Sequence, residues 1–127
     1  MIKFYHCTHC GAVAYMAVDG PCTPTCCGEP MVELVAGSTD AATEKHVPAI
    51  TAEDGKLHVQ VGSVAHPMLE EHSIQFIAIE RPDGTVEFKH LNPGDAPEAT
   101  FCLHGLDSAT VYEFCNLHGL WKAEYTA

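Results

Sequence analysis

Four of the five cysteines within the first 27 residues, Cys7-x-x-Cys10 and the adjacent pair Cys26-Cys27, constrain this chain more than any other feature. The segment 1–36 is too short to bury the apolar surface an independent fold needs, so a metal or disulfides must take the place of a core. The run MIKFYHCTHC carries one lysine and no extended apolar stretch, so it does not read as an export signal. A cytoplasmic protein is expected, where thiols stay reduced and clustered cysteines read as metal ligands. The total of seven cysteines is odd, which also argues against a disulfide framework.

The spacing is compatible with one tetrahedral metal. Bonds of ~2.3 Å to sulfur require the four sulfurs to lie roughly 3.8 Å apart. Cys-x-x-Cys meets this when the chain turns between the two residues, with Gly11 relieving the crowding. Neighbours in an extended strand point to opposite faces, so Cys26-Cys27 is expected in a turn supplied by Gly28 and Pro30. Iron and zinc both accept four thiolates; iron would pass single electrons, whereas zinc would only hold the fold. Cys22, near Pro21 and Pro24, is read as a non-ligand, and His6 and His9 as exposed strand residues.

A second donor set lies downstream. Cys115-x-x-His118 in YEFCNLHGLWK is a two-ligand hook, and His46, His66 and His72 sit in EKHVP and HPMLEEH. Four imidazoles and a thiolate are too many for tetrahedral zinc. They suit a five-coordinate iron with one face open. Pro67 favours an extended His66, and the six-residue step to His72 requires a loop or short turn between them. Around ferrous iron this set carries a net positive charge, a local attractor for a small anion. A thiolate ligand would push electron density onto the metal. Glu44 and Lys45, beside His46, could reach over the open face, the lysine steering an anion and the carboxylate ligating the metal or relaying protons. On their own they read equally well as solvated loop charges. His58, His90 and His104 are read as surface histidines, and Cys102 as a core thiol.

From about residue 40 the pattern is that of β-structure. Leu57, Val59 and Val61 alternate with His58 and Gln60. The run 73–80 is apolar and β-branched, a turn follows at Arg81-Pro82-Asp83-Gly84, and 85–91 alternates again. Further strands are expected at 99–104, 109–115 and 120–125. Short strands separated by turns indicate an antiparallel sandwich. Residues 37–43 read as a linker, dividing the chain into 1–36 and 44–127.

Six basic residues against seventeen acidic ones, a net charge of −11, argue against nucleic acid and against anionic membrane surfaces. No apolar run approaches the ~20 residues of a membrane helix.

In order, the motifs CTHCG, CCGEPM, GSTDAATEKHVP, GSVAHPMLEEH and CNLHGLWK resemble desulfoferrodoxin, the two-iron form of superoxide reductase, over essentially the whole chain. The resemblance implies an all-β protein, a desulforedoxin-like domain followed by an immunoglobulin-like sandwich, usually a homodimer. It implies that Cys7, Cys10, Cys26 and Cys27 bind a first iron, or zinc in its place. His46, His66, His72 and His118 would form the equatorial plane of a second iron, with Cys115 axial. Glu44 would bind the oxidised metal and Lys45 would attract superoxide. The implied reaction is one-electron reduction of superoxide to hydrogen peroxide, with a rubredoxin-like donor restoring the electron. Two other readings of the residues are an electron-transfer iron protein without superoxide turnover and a zinc-stabilised binding or sensor module.

Overall fold

The structure is a computed structural model that describes residues 2–38 and 43–127, the side chain of Glu44 excepted. It divides into two compact units, Met1–Val35 and Ala36–Ala127. Both are built from antiparallel strands, and the single helix among the described residues is one turn long. No helix among the described residues is long and apolar enough to cross a membrane.

In the first unit, β1 (Phe4–His6) lies between β2 (Val13–Tyr15) and β5 (Val32–Leu34), and β3 (Thr25–Cys26) pairs with β4 (Glu29–Pro30). The β3–β4 link is a two-residue hairpin, since Cys26 lies opposite Glu29. Cys27 and Gly28 both take positive φ, 53° and 76°, the geometry of a type I′ turn. That turn is what separates the two adjacent cysteines: Cys26 ends a strand and Cys27 stands in the loop. Pro30 is not part of the turn but sits in β4, opposite Thr25. Phe4, Tyr5, Cys7 and Met31 are buried here, and the last three form an apolar cluster with Met16 and Cys26 packed against it.

The second unit begins with α1 (Thr43–His46), followed by β6 (Pro48–Glu53) and β7 (Lys56–Val61). Then come β8 (Ile74–Glu80), β9 (Val86–His90), β10 (Glu98–Cys102), β11 (Ser108–Cys115) and β12 (Gly119–Thr126). The strands form two sheets, ordered β10-β7-β6 and β12-β11-β8-β9, which is an immunoglobulin-like sandwich. Inward positions alternate as the sequence requires: Leu57, Val59 and Val61 from β7, Ile77 and Ile79 from β8, Ala99 and Phe101 from β10, Val111 and Cys115 from β11. Each large aliphatic chain so buried contributes about 1.5–3 kcal/mol.

Two expectations change. The sequence singles out no strand over residues 48–53 within the β-structure it indicates from about residue 40, yet β6 is there. Its burial falls off steadily rather than alternating, so no period of two marks it. Asp54-Gly55 joins it to β7 with both residues at positive φ, again a two-residue hairpin. Cys102 is exposed rather than a core thiol. Ala99 and Phe101 face the core, so the alternation of β10 turns Thr100 and Cys102 outward. The Cys102 carbonyl is engaged: the buried Arg81 guanidinium donates to it through Nε and Nη2, at 3.0 and 2.7 Å. This ties the β8–β9 turn of one sheet to the edge strand of the other.

Candidate metal centres

The register of the sandwich explains how donors scattered from residue 46 to residue 118 can meet. Pro48 at the start of β6 lies opposite Val61 at the end of β7. Ile74 at the start of β8 lies opposite Cys115 at the end of β11, which itself lies opposite Gly119 at the start of β12. His46, His66, His72, Cys115 and His118 therefore all leave the same strand ends, and their ligand atoms lie within 4.8 Å of one another. A bulge contributes. The β8–β11 register slips after Phe114, so that Ile74 rather than Gln75 faces Cys115. An extra residue of this kind re-aims the side chains beyond it.

The four imidazoles form a closed cycle of edge-to-face contacts. Ring centroids are 4.6 Å apart for His46–His66, 4.7 Å for His66–His72, 5.1 Å for His72–His118 and 4.9 Å for His118–His46. His46 Nε2 lies 3.1 Å from both His66 Nε2 and His118 Nδ1. A square with that edge has its centre about 2.2 Å from each corner, close to the ~2.0–2.1 Å of an imidazole–metal bond. His66 Nδ1 donates to the Pro67 carbonyl at 2.7 Å, which leaves Nε2 as a bare lone pair. His72 Nε2 is buried with no hydrogen-bond partner among the described residues. His46 Nε2 has at most one proton, so it cannot donate to both of its neighbours. A cation at the centre satisfies all four lone pairs, and the donor set fits one.

Electrostatics agree with that reading. Burial, reinforced by the charges of His46, His72 and His118, lowers the His66 pKa to about 4. Burial also lowers that of His72, with His118 and the Lys45 ammonium acting in the same direction. Both rings are held neutral at physiological pH, as metal binding requires. Burial pushes the Cys115 thiol up, while backbone amides of Leu117 and His118 pull it back down. His46, His66 and Cys115 are buried; His72 and His118 are half-buried, so the centre meets solvent on their side. Lys45 is exposed, and its effect on His72 places its charge near the cluster. The Glu44 side chain lies outside the described residues.

Cys7, Cys10, Cys26 and Cys27 form the other cluster, again with ligand atoms within 4.8 Å. Cys10 Sγ is 3.7 Å from Cys26 Sγ, and Cys26 Sγ is 4.0 Å from Cys27 Sγ. These are the edges of a tetrahedron with metal–sulfur bonds of ~2.3 Å. The Cys10 amide donates to Cys7 Sγ and helps bring that thiol down to about 6. Cys26 is pushed up to about 12 by hydrogen bonding with Cys10, Cys7 and Cys27. One sulfur ionises readily and its neighbours then resist, so only a bound cation can keep all four as thiolates. Cys22 is exposed and outside the cluster. His9 is also outside it, paired with Glu29 at 2.8 Å.

Two residues near the histidine cluster escaped the sequence reading. Trp121 stacks on His46, with centroids 5.0 Å apart, and its Nε1 donates to the His118 carbonyl at 3.1 Å. Asn116, inside the Cys-x-x-His turn, bonds to both sides of His72. Both lie within the run CNLHGLWK, but nothing in that run indicates partners more than 40 residues away.

The Desulfoferrodoxin family model matches residues 38–124. The chain is 48% identical over 122 residues to desulfoferrodoxin of Nitratidesulfovibrio vulgaris, covering 96% of this chain and 95% of that protein. It is 35% identical to superoxide reductase of Thermococcus kodakarensis over 76% of this chain and 98% of the relative. The crystal structure of superoxide reductase from Treponema pallidum superposes with a TM-score of 0.80 at 34% identity, covering 97% of this chain and 98% of that one. With the family match spanning most of the sandwich, and close relatives and a matching fold spanning nearly the whole length, the chain belongs to the desulfoferrodoxin family.

Proposed function

We propose that this chain is a superoxide reductase: it reduces superoxide to hydrogen peroxide, taking up one electron and two protons per superoxide. The observation that carries the reading is the closed cycle of four imidazoles beside a buried thiol, one donor more than a tetrahedral site holds. His46, His66, His72, His118 and Cys115 would hold iron there. Bound in that set, iron supplies one-electron chemistry, and the thiolate favours its oxidised state.

The chain does the rest. Pro67 fixes the tautomer of His66 through its carbonyl, and Trp121 backs the His46 ring. Lys45 places a cation beside the cluster on a chain whose net charge is −11, and so gives an anionic substrate a local path in. Glu44 is assigned the carboxylate role of binding the oxidised metal. Cys7, Cys10, Cys26 and Cys27 would hold a second iron, with zinc the alternative occupant. We assign residues 1–36 to a desulforedoxin-like domain, 37–43 to a linker and 44–127 to the reductase domain. A rubredoxin-like protein would return the electron, and the working form would be a cytoplasmic homodimer.

The test is the peroxide yield per superoxide consumed by the ferrous, donor-supplied protein under anaerobic conditions. One peroxide per superoxide with no oxygen released is expected. Half that yield with oxygen evolved would mean dismutation, and no acceleration would overturn the assignment in favour of an electron-transfer or structural role.

A further inference from the structure

We infer that Asn116 is a positioning residue whose side-chain amide acts as a surrogate peptide unit and sets where His72 stands. The β8–β11 ladder ends at Ile74 and Cys115, and one more backbone bond follows, from Asn116 N to Ser73 O at 3.2 Å. Beyond it the chain leaves the sheet, and Leu69 and His72 close a turn by exchanging N–H···O bonds of 2.9 and 3.2 Å. Backbone pairing to β11 has stopped, and the Asn116 side chain continues it. Its Nδ2 donates to the Glu71 carbonyl at 3.0 Å, and its Oδ1 accepts from the Ser73 amide at 3.0 Å.

One planar group thus grips the peptide units on both sides of His72. A residue in a parallel β-ladder binds its partner with this same arrangement, donating to the carbonyl before it and accepting from the amide after it. With both flanking peptides held, the direction of the His72 Cα–Cβ bond is set relative to the turn carrying Cys115 and His118. The device matters for this histidine in particular. His66 has its ring anchored by the Pro67 carbonyl, and His46 is backed by Trp121. His72 Nε2 is buried without a hydrogen-bond partner among the described residues, and the Asn116 bonds hold the backbone on either side of this ring instead. Asparagine suits the task because it carries an NH2 donor group and a carbonyl acceptor on one short, rigid plane. Aspartate lacks the donor, and alanine lacks both.

A role confined to the turn is the competing explanation, since asparagine favours turns for local reasons. The inference also rests on reading the five residues as a metal centre, so the test separates the two questions. The full-length protein is loaded with cobalt(II) at both centres, and the paramagnetically shifted imidazole N–H resonances are counted. Only the histidine cluster can produce them. The wild-type protein should show one for each of His46, His66, His72 and His118; none at all would overturn the metal-centre reading itself. In Asn116→Ala the His72 resonance should be lost or broadened while those of His46, His66 and His118 persist. Cobalt affinity at that centre should fall about 10–100-fold, the usual effect of removing a group that orients a ligand. Asn116→Asp, which keeps the bond from Ser73, should shift both readouts the same way by less. All four resonances and wild-type cobalt affinity in Asn116→Ala, whatever its melting temperature, would overturn the inference.

Discussion

The four-cysteine cluster and the histidine cluster each bring several donors to one point, but on opposite foundations. In the first unit the buried apolar cluster is Tyr5, Cys7 and Met31, so one of the donors is itself part of the core. Its strands are two or three residues long, and its donors lie at their ends and in the turns between them. In the second unit the donors stand at the ends of a sandwich whose core runs from Leu57 to Cys115 and includes Ile74, Ile77, Ile79, Phe101 and Val111. There the fold is complete without the donors, apart from Cys115. The difference teaches that similar ligand clustering can mean two things: a metal that makes the fold, and a fold that makes the metal site.

Removing metal should expose that contrast most strongly. A chelator strong enough to empty both centres should unfold the first unit, because metal binding in such small domains supplies roughly 10–16 kcal/mol of folding free energy. Amide hydrogen exchange on the full chain should show protection lost over β1 to β5 and retained over β7, β8 and β11. Persistent protection in β1 and β5 of the metal-free chain would break the comparison, since the small core would then suffice.

Single donors sharpen it next. Cys115→Ser should abolish the histidine centre's share of the thiolate-to-iron charge-transfer absorption, leaving that of the four-cysteine iron, and with it peroxide formation, while the sandwich stays folded by circular dichroism. Cys10→Ser should do the reverse, destabilising the first unit and leaving peroxide formation from chemically reduced protein near the wild-type rate. Loss of turnover in Cys10→Ser under those conditions would show that the clusters are not functionally separable.

Lys45 tests whether the second centre recruits its substrate by charge. Lys45→Ala should slow superoxide capture by about tenfold at low ionic strength, with iron content unchanged, and the deficit should shrink as salt screens the field. Equal capture by the two proteins at low salt would remove Lys45 from the mechanism.

The smallest expected effect is on pH dependence. His66 titrates at about 4 in the folded protein, against 6.5 for an unperturbed ring. Between those values the unfolded chain binds a proton that the folded one does not. Stability of the metal-free second unit should therefore fall as pH drops from about 6.5 to about 4, with His72 contributing in the same direction. Denaturant midpoints measured across that window check the sign. Glu113 acts oppositely: burial raises its pKa, and neither carboxylate oxygen has a partner among the described residues. Its contribution worsens as pH rises above the ordinary carboxylate range, so Glu113→Gln should make the acid side of the profile steeper relative to neutral pH.

Much of this architecture was legible in the order of residues. The alternation of Leu57, Val59 and Val61 and the apolar run ending at Glu80 locate β7 and β8, because a half-buried strand must repeat every two residues. The type I′ hairpin at Cys27-Gly28 follows the expectation that adjacent cysteines need a turn. What escaped has a common cause. Strand β6 carries no alternation, and the outward turn of Cys102 depends on which parity of β10 faces the core, a choice made by its pairing with Leu57. The grip of Asn116 on the chain around His72 and the stacking of Trp121 on His46 both involve partners distant in the chain.

The sequence by itself determined which atoms can bind a metal and in what numbers, since donor chemistry belongs to the side chain. It also determined where the chain must alternate and turn. That His46, His66, His72, Cys115 and His118 leave the same strand ends was decided only by the tertiary structure. Their convergence depends on the register of two sheets, on the slip between Phe114 and Cys115, and on hydrogen bonds that form only once those strands are paired.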